Sequence, residues 1–203
     1  MPDGLEALPR IEVGSAAELR DWLLREGERS GSVWLVTARK HVAGRHLGWA
    51  DLVDELLCFG WIDSLPRKLD ADRTMHLISP RKPGSAWSAI NKAKVEKLLA
   101  EGRMTPRGLA AIEAAKRDGS WDALAEADPE NPPVDLVAAL AAEPSAEAFF
   151  ARFPRSSRRA ILEWIALAKT PETRAKRIAE TVHLAGENRK GNHPKGRDAG
   201  PTA

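Results

Sequence analysis

Strand-forming runs occur only in the first 80 residues of this chain, so any β-sheet must be small. Residues 33–37 form a β-branched and aromatic run that is typical of a buried strand. Residues 61–64 and 74–78 are further candidates, and 11–13 is a shorter one. Pro66 lacks a backbone N–H, so it either places the strand at 61–64 on a sheet edge or ends it.

Helical periodicity dominates the rest of the sequence. Apolar residues recur at helical spacing over about 16–26, after a Ser15 cap, and over 49–59, where Gly60 follows as a stop signal. Thr–Pro pairs at 105–106 and 170–171 are typical of an N-cap followed by proline at the first helical position. The pattern predicts an α+β fold that is mostly helical. A small few-stranded sheet with helices in the N-terminal half would pack against an all-helical C-terminal half.

Composition along the chain predicts four segments. Residues 1–14 are expected to form a loose leader and 15–85 a small α/β part. Residues 86–185 are predicted to be helical and to form one compact unit with the preceding part. Glycine, proline and charge dominate 186–203 without apolar periodicity, so a disordered tail is expected there.

Several protein classes are excluded at this stage. No run of about 18 apolar residues is present, so no membrane span is expected. The first ten residues hold acids and prolines and do not resemble a secretory signal. A single cysteine, Cys58, permits no internal disulfide and fits a reducing compartment. A cytoplasmic location is therefore expected.

The charge of the chain is unevenly distributed. The formal net charge is only +2, from 31 Lys+Arg and 29 Asp+Glu. Residues 67–107 alone hold 10 basic and 4 acidic side chains, a net charge of +6. Such asymmetry bears on binding partners rather than on the fold.

A basic loop before a predicted helix is the main candidate site. A helix N-terminus offers unpaired backbone N–H groups and a partial positive charge, which suit a phosphate, carboxylate or sulfate. Trp61 and Trp87 flank this polar stretch and could form an aromatic wall. The alternative is an ordinary capped helix after a solvated basic loop. The candidate ligand-binding residues are Trp61, Arg81, Lys82, Gly84, Ser85, Trp87, Ser88 and Asn91.

Asp63 is the candidate catalytic residue. It follows Trp61 on a predicted strand, and a carboxyl beside an indole in a partly buried site could act as an acid or base. It could equally pair with Arg67 or Lys68, or cap a turn. No sequence element indicates a reaction.

No metal or cofactor is expected. His41 and His46 lie five apart on a predicted loop and would need ligands from elsewhere, such as His76 or Glu55. Cys58 lies on an apolar helix face and is interpreted as a small buried hydrophobe. Known nucleotide-binding and hydrolase motifs are missing from the sequence.

The order of several motifs resembles the YdeI/OmpD-associated family, also called bacteriocin-protection proteins. The matching motifs are residues 58–64 (CFGWIDS), 79–88 (SPRKPGSAWS), Asn91, 95–98 (VEKL), 102–109 (GRMTPRGL), 155–158 (RSSR) and 169–174 (KTPETR). Together the motifs span roughly 15–185. The resemblance implies a role in stress or bacteriocin protection and supplies no catalytic residues.

Three functional hypotheses follow. The first is a protein that binds a small anionic molecule at the 79–92 loop. The second is a small-molecule enzyme that uses Asp63 as acid or base. The third is nucleic-acid binding through 67–107, against which the acidic flanking segments and the sparse exposed aromatics argue.

Overall fold

The computed structural model describes residues 4–42 and 44–191. It divides into two compact units, residues 1–121 and 122–203. Over the described residues the model has a four-stranded sheet and eight helices, so the predicted α+β fold is confirmed. No described helix combines the length and apolar character that crossing a bilayer requires.

The sheet of the first unit has the order β1-β2-β4-β3. Its strands are β1 Arg10–Glu12, β2 Val33–Ala38, β3 Trp61–Lys68 and β4 Arg73–Pro80. β1 and β2 are parallel, and the other neighbours are antiparallel. β3 lies at the edge and is irregular between Asp63 and Pro66, as the proline requires. β1 lies inside the segment predicted to be a loose leader.

Four helices belong to the first unit: α1 Ala16–Glu26, α2 Trp49–Cys58, α3 Ala89–Ala100 and α4 Pro106–Asp118. Three of them begin at polar caps, and two of these caps, Ser15 and Thr105, are the predicted ones. In each, the hydroxyl of the cap accepts from the backbone N–H three residues later. The pairs are Ser15 with Glu18, Ser88 with Asn91, and Thr105 with Gly108. α3 and α4 thus belong with the sheet, beyond the 85/86 boundary drawn from the sequence.

One face of the sheet packs against the helices. Leu35 and Ile78 of the sheet share a buried cluster with Leu19 of α1, Leu56 of α2 and Leu98 of α3. On the opposite face, Trp34, Val36 and Met75 form a smaller cluster, against which Leu5 and Leu8 pack. The indole N–H of Trp34 donates to the Leu5 carbonyl at 2.7 Å. The alternation of a β-strand places both sets of side chains on the same strands.

The second unit is helical: α5 Val134–Ala141, α6 Pro144–Arg152, α7 Arg155–Ala166 and α8 Pro171–Gly186. Its core contains Leu136, Phe150, Leu162, Ile165 and Ile178. α8 starts at the predicted Thr–Pro pair, where the Thr170 hydroxyl accepts from the Thr173 N–H. The predicted tail from 186 is described only as far as 191. Its remainder lies outside the described residues.

Candidate anion-binding site

The guanidinium group of Arg81 is held inside the basic loop. The Arg81 backbone N–H donates to the Gly60 carbonyl at 2.9 Å, which ties the loop to the start of β3. The guanidinium carbon lies 3.8 Å from the centroid of the Trp87 ring. Its Nη1 donates to the carbonyls of Ala86 at 3.0 Å and Ser85 at 3.4 Å. The loop thus wraps around its own arginine.

One edge of this guanidinium has no acceptor. Nε and Nη2 of Arg81 are buried and without a hydrogen-bond partner, and no carboxylate pairs with the group in the described part of the chain. These two N–H groups form the side of the guanidinium that can bind a carboxylate or phosphate through two parallel bonds. Burial lowers the pKa of Arg81 to about 10, although the nearby charge of Asp63 opposes the decrease. Arg81 is therefore a desolvated cation with an unused fork of donors.

A cavity of about 70 Å³ adjoins the loop. Five candidate residues line it, namely Arg81, Lys82, Gly84, Ser85 and Trp87. The opposite wall comes from the end of α4, and sequence reasoning missed it: Ala111, Ala114, Ala115, Asp118 and Ser120. Residues 111, 114, 115 and 118 have the spacing of one helical face, so the sequence could have indicated that they line the same surface.

The carboxylate of Asp118 already occupies part of the loop. Its oxygens accept from the Gly84 N–H at 2.9 Å and from the Ser120 N–H at 2.9 Å. The bonds from Ser120, and then that from Gly84, lower the pKa of Asp118. The backbone donor at Gly84, a residue with φ of +73°, is thus used internally. Ligand recognition here would depend on the Arg81 side chain.

Two candidate residues form the helix cap. The Ser88 hydroxyl accepts from the Asn91 backbone N–H at 3.2 Å. Trp87, just before the cap, is 1% exposed and lies 5.0 Å from the Trp121 ring. Ser88 and Asn91 are not among the residues that line the cavity. Their contacts account for the start of α3.

Trp61 and Asp63 lie apart from the cavity. Trp61 is 0% exposed and packs edge to face with Trp22 at 5.6 Å, so it belongs to the core and is not an exposed wall. Asp63 is partly exposed and accepts from the indole N–H of Trp49 at 3.2 Å. Neither residue lines the Arg81 cavity. The aromatic–acid–cation grouping that the sequence suggested is therefore not assembled there.

Much of the positive charge of 67–107 is used within the fold. Arg73 pairs with Asp70 and Glu12, Lys94 with Asp54, Lys97 with Glu101, and Arg103 with Glu55. Arg67 lies over the Trp34 ring at 5.1 Å, and Arg107 donates to the Gly27 carbonyl. The segment therefore does not present ten unpaired cations to a phosphate backbone.

The loop that contains His41 and His46 shows no metal-ligand geometry. No group of three metal-binding side chains is found among the residues that the structure describes. His41 pairs with Asp72 at 3.0 Å. Glu55 is enclosed by two arginines, Arg20 and Arg103.

Comparison with known families matches the two parts of the chain separately. Residues 131–188 match the family described as Bacteriocin-protection, YdeI or OmpD-Associated. This segment of the chain is similar to the YdeI/OmpD-associated family. Residues 11–111 match a domain of unknown function (DUF8412). Neither the curated proteins nor the solved structures gave a significant match.

The family match is narrower than the sequence resemblance. It covers the helices of the second unit, whereas the resemblance extended over 15–185. The motifs at 58–64, 79–88 and 102–109 fall within the match to the domain of unknown function. The basic loop of the candidate anion site lies within that match, whereas Asp118 of its opposite wall lies beyond it. The segment that matches the YdeI/OmpD-associated family contains the motifs at 155–158 and 169–174.

Proposed function

We propose that the first unit binds a small anion, with Arg81 as the cation that recognises it. The buried, unused Nε and Nη2 donors of Arg81 support this proposal most strongly. A buried charged donor without an acceptor costs free energy, and an anion that accepted from both atoms would remove that cost. The neighbouring cavity provides space for one anionic group.

The chemistry of the cavity favours a carboxylate. A volume of about 70 Å³ fits a single charged group rather than a whole nucleotide. Asp118 lies in the same wall and carries a negative charge, so a monoanion meets less repulsion than a dianion. Lys82 is exposed at the same loop and adds positive charge. Carboxylates should therefore bind more tightly than phosphate or sulfate.

Isothermal titration of the full chain with acetate, phosphate and sulfate tests this proposal. Arg81→Met should weaken acetate binding about tenfold or more, because it removes a two-bond charged contact. Lys97→Met is the matched control, since Lys97 is exposed and its one ion pair within the described ranges is with Glu101. Equal acetate affinity in Arg81→Met and in the unmodified chain would contradict the proposal, as would no binding at all.

We further propose that the protective role in the family description extends to this chain. Its support is the match at residues 131–188. Cells that express the full chain should survive a bacteriocin better than cells with an empty vector. Expression of Arg81→Met would show whether anion binding contributes to that protection. Unchanged survival with the full chain would refute the protective role.

The other hypotheses gain no support from the geometry. Asp63 bonds to Trp49, outside the Arg81 cavity, and an acid–base role for it stays a prediction. Nucleic-acid binding would need the positive charge that the ion pairs of 67–107 neutralise. A cytoplasmic location also stays a prediction.

A further inference from the structure

A larger cleft opens at the end of β2. Its volume is about 460 Å³, within the usual range for small-molecule sites. Thr37 and His76 point into it from β2 and β4, on the sheet face that packs against the helices. Arg39 and Lys40 line it from the loop after β2, and Trp49 lines it from the start of α2. None of the residues predicted to bind a ligand lies here.

The lining of the cleft is cationic. Arg39 and Lys40 supply its positive charge, the imidazoles of three histidines also line it, and no carboxylate is among its described lining residues. Two carboxylates contact residues of the lining: Asp72 pairs with His41, and Asp63 accepts from Trp49. Lys40 is exposed and forms no ion pair within the described ranges. Among the lining residues themselves, a negatively charged group would meet the positive charges of Arg39 and Lys40.

Two polar groups in the cleft have no hydrogen-bond partner among the described residues. Thr37 is only 3% exposed, and its hydroxyl bonds to no other described residue. His46 Nδ1 lies 2.9 Å from the Ala38 carbonyl, so Nδ1 holds the proton and donates. Nε2 of His46 is then left without a partner in the described structure. The Thr37 hydroxyl lines the cleft and can donate to an oxygen of a ligand there.

The rest of the cleft is apolar and aromatic. Leu47 and Leu52 are buried and line its floor. Trp49 is 53% exposed, which is unusual for a residue of this size. Its indole N–H donates to Asp63, and this bond holds the ring in one orientation at the cleft. A fixed, exposed indole suits stacking against a planar ring.

We propose that this cleft binds a small aromatic anion, an aryl carboxylate or an aryl phosphate monoester. The ring stacks on Trp49 above Leu47 and Leu52. The anionic group lies near Arg39 and Lys40, and one of its oxygens accepts from the Thr37 hydroxyl. The cleft is separate from the Arg81 cavity, so this inference does not rest on the proposed function.

Titration of the ¹⁵N-labelled full chain with benzoate tests the proposal. The indole N–H resonance of Trp49, assigned through Trp49→Phe, should shift and give the dissociation constant. Benzamide is the neutral control for charge, and acetate is the control for the ring. Benzoate should bind at least tenfold more tightly than either at the Trp49 resonance. Equal shifts with benzamide would overturn the proposal.

Substitutions locate the ligand within the cleft. Lys40→Met should weaken benzoate binding about fivefold, and the nearly isosteric Thr37→Val about threefold. Lys97→Met, which lies outside the cleft, should leave the benzoate-induced shift of the Trp49 resonance unchanged. If Arg81→Met abolishes benzoate binding while Lys40→Met and Thr37→Val do not, the cleft is not the site. Unfolding curves of each variant verify that the fold is intact.

Discussion

At the residue scale, buried charges in this protein are held by specific partners. Glu55 is almost fully buried, and its oxygens accept from Arg20 at 2.9 Å and Arg103 at 2.6 Å. Arg20 also reaches the Arg103 carbonyl at 3.1 Å, which closes the group. Arg81 differs because its fork has no acceptor. Glu55 is thus explained by structure alone, whereas Arg81 suggests a ligand.

Glu55→Gln should reduce the free energy of unfolding by about 3 kcal/mol, because it leaves two arginines around a neutral group. Urea denaturation followed by circular dichroism measures the loss. Glu101→Gln is the matched control and should change stability by less than about 0.5 kcal/mol, since that glutamate is exposed. A similar loss in both variants would contradict this account of Glu55.

His76 should make stability depend on pH. Burial lowers the pKa of His76 from 6.5, and the charge of Asp63 opposes the decrease. The folded state then binds the proton less tightly than the unfolded state, so stability is complete above about pH 6.5. It falls as the pH decreases from there toward the folded pKa.

The difference between the unmodified chain and His76→Gln isolates this effect. Urea unfolding between pH 7.5 and 5 should show that the free energy of unfolding falls less on acidification in His76→Gln than in the unmodified chain. Asp63→Asn should lower the pKa of His76 further, as measured by NMR titration, because the opposing charge is removed. A pKa of His76 above 6.5 would show that burial does not dominate.

At the element scale, one close approach fixes α4 against the end of α2. A Cβ at Gly108 would lie 2.3 Å from the Cys58 carbonyl oxygen. The same oxygen accepts from the Thr105 N–H at 3.0 Å and from its hydroxyl at 2.6 Å. The start of α4 therefore sits directly on the last turn of α2. This contact also places Asp118, ten residues after Gly108, beside the Arg81 loop.

Gly108→Ala should destabilise the protein by about 3 kcal/mol, because the backbone of α4 must move away from Cys58. Gly102→Ala is the control: its φ is +66° and nothing lies within 4 Å of the added Cβ. Its free energy of unfolding should fall by only about 1 kcal/mol, which is the strain of placing alanine in a left-handed conformation. Thermal unfolding compares the two variants. Equal losses of stability would show that the close contact between Gly108 and Cys58 adds nothing to the cost of the substitution.

At the scale of the whole molecule, the chain contains two units, each with its own core. Leu98 belongs to the buried cluster of the first unit, and Ile165 to that of the second. The two family matches follow the same division, at 11–111 and 131–188. Function is therefore best assigned unit by unit, with the proposed anion sites in the first and the match to the YdeI/OmpD-associated family in the second.

Cavity-forming substitutions should act on one unit each. Ile165→Ala should cost about 3 kcal/mol and reduce hydrogen-exchange protection in α5–α8, because it removes buried apolar contacts there. Leu98→Ala should reduce protection in the sheet and α1–α4 by a comparable amount. Loss of protection throughout the chain in either variant would show that the two cores unfold together.

The sequence by itself determined the local structure. The capping residues at 15, 105 and 170 correctly indicated helix starts, and the proline at 66 indicated the edge strand, because these preferences act within a few residues. It also placed Arg81, Lys82 and Trp87 in one candidate loop. All of these are properties of neighbouring residues.

Only the tertiary structure decided which of these groups face one another. It buried Trp61 in the core, supplied Asp118 to the Gly84 amide, and paired the cations of 67–107 with acids from β1, α2 and other elements. It also brought Thr37, Lys40, Trp49 and His76 into one cleft that no motif marks. Such contacts join residues far apart in the chain, and packing and desolvation, rather than local preference, select them.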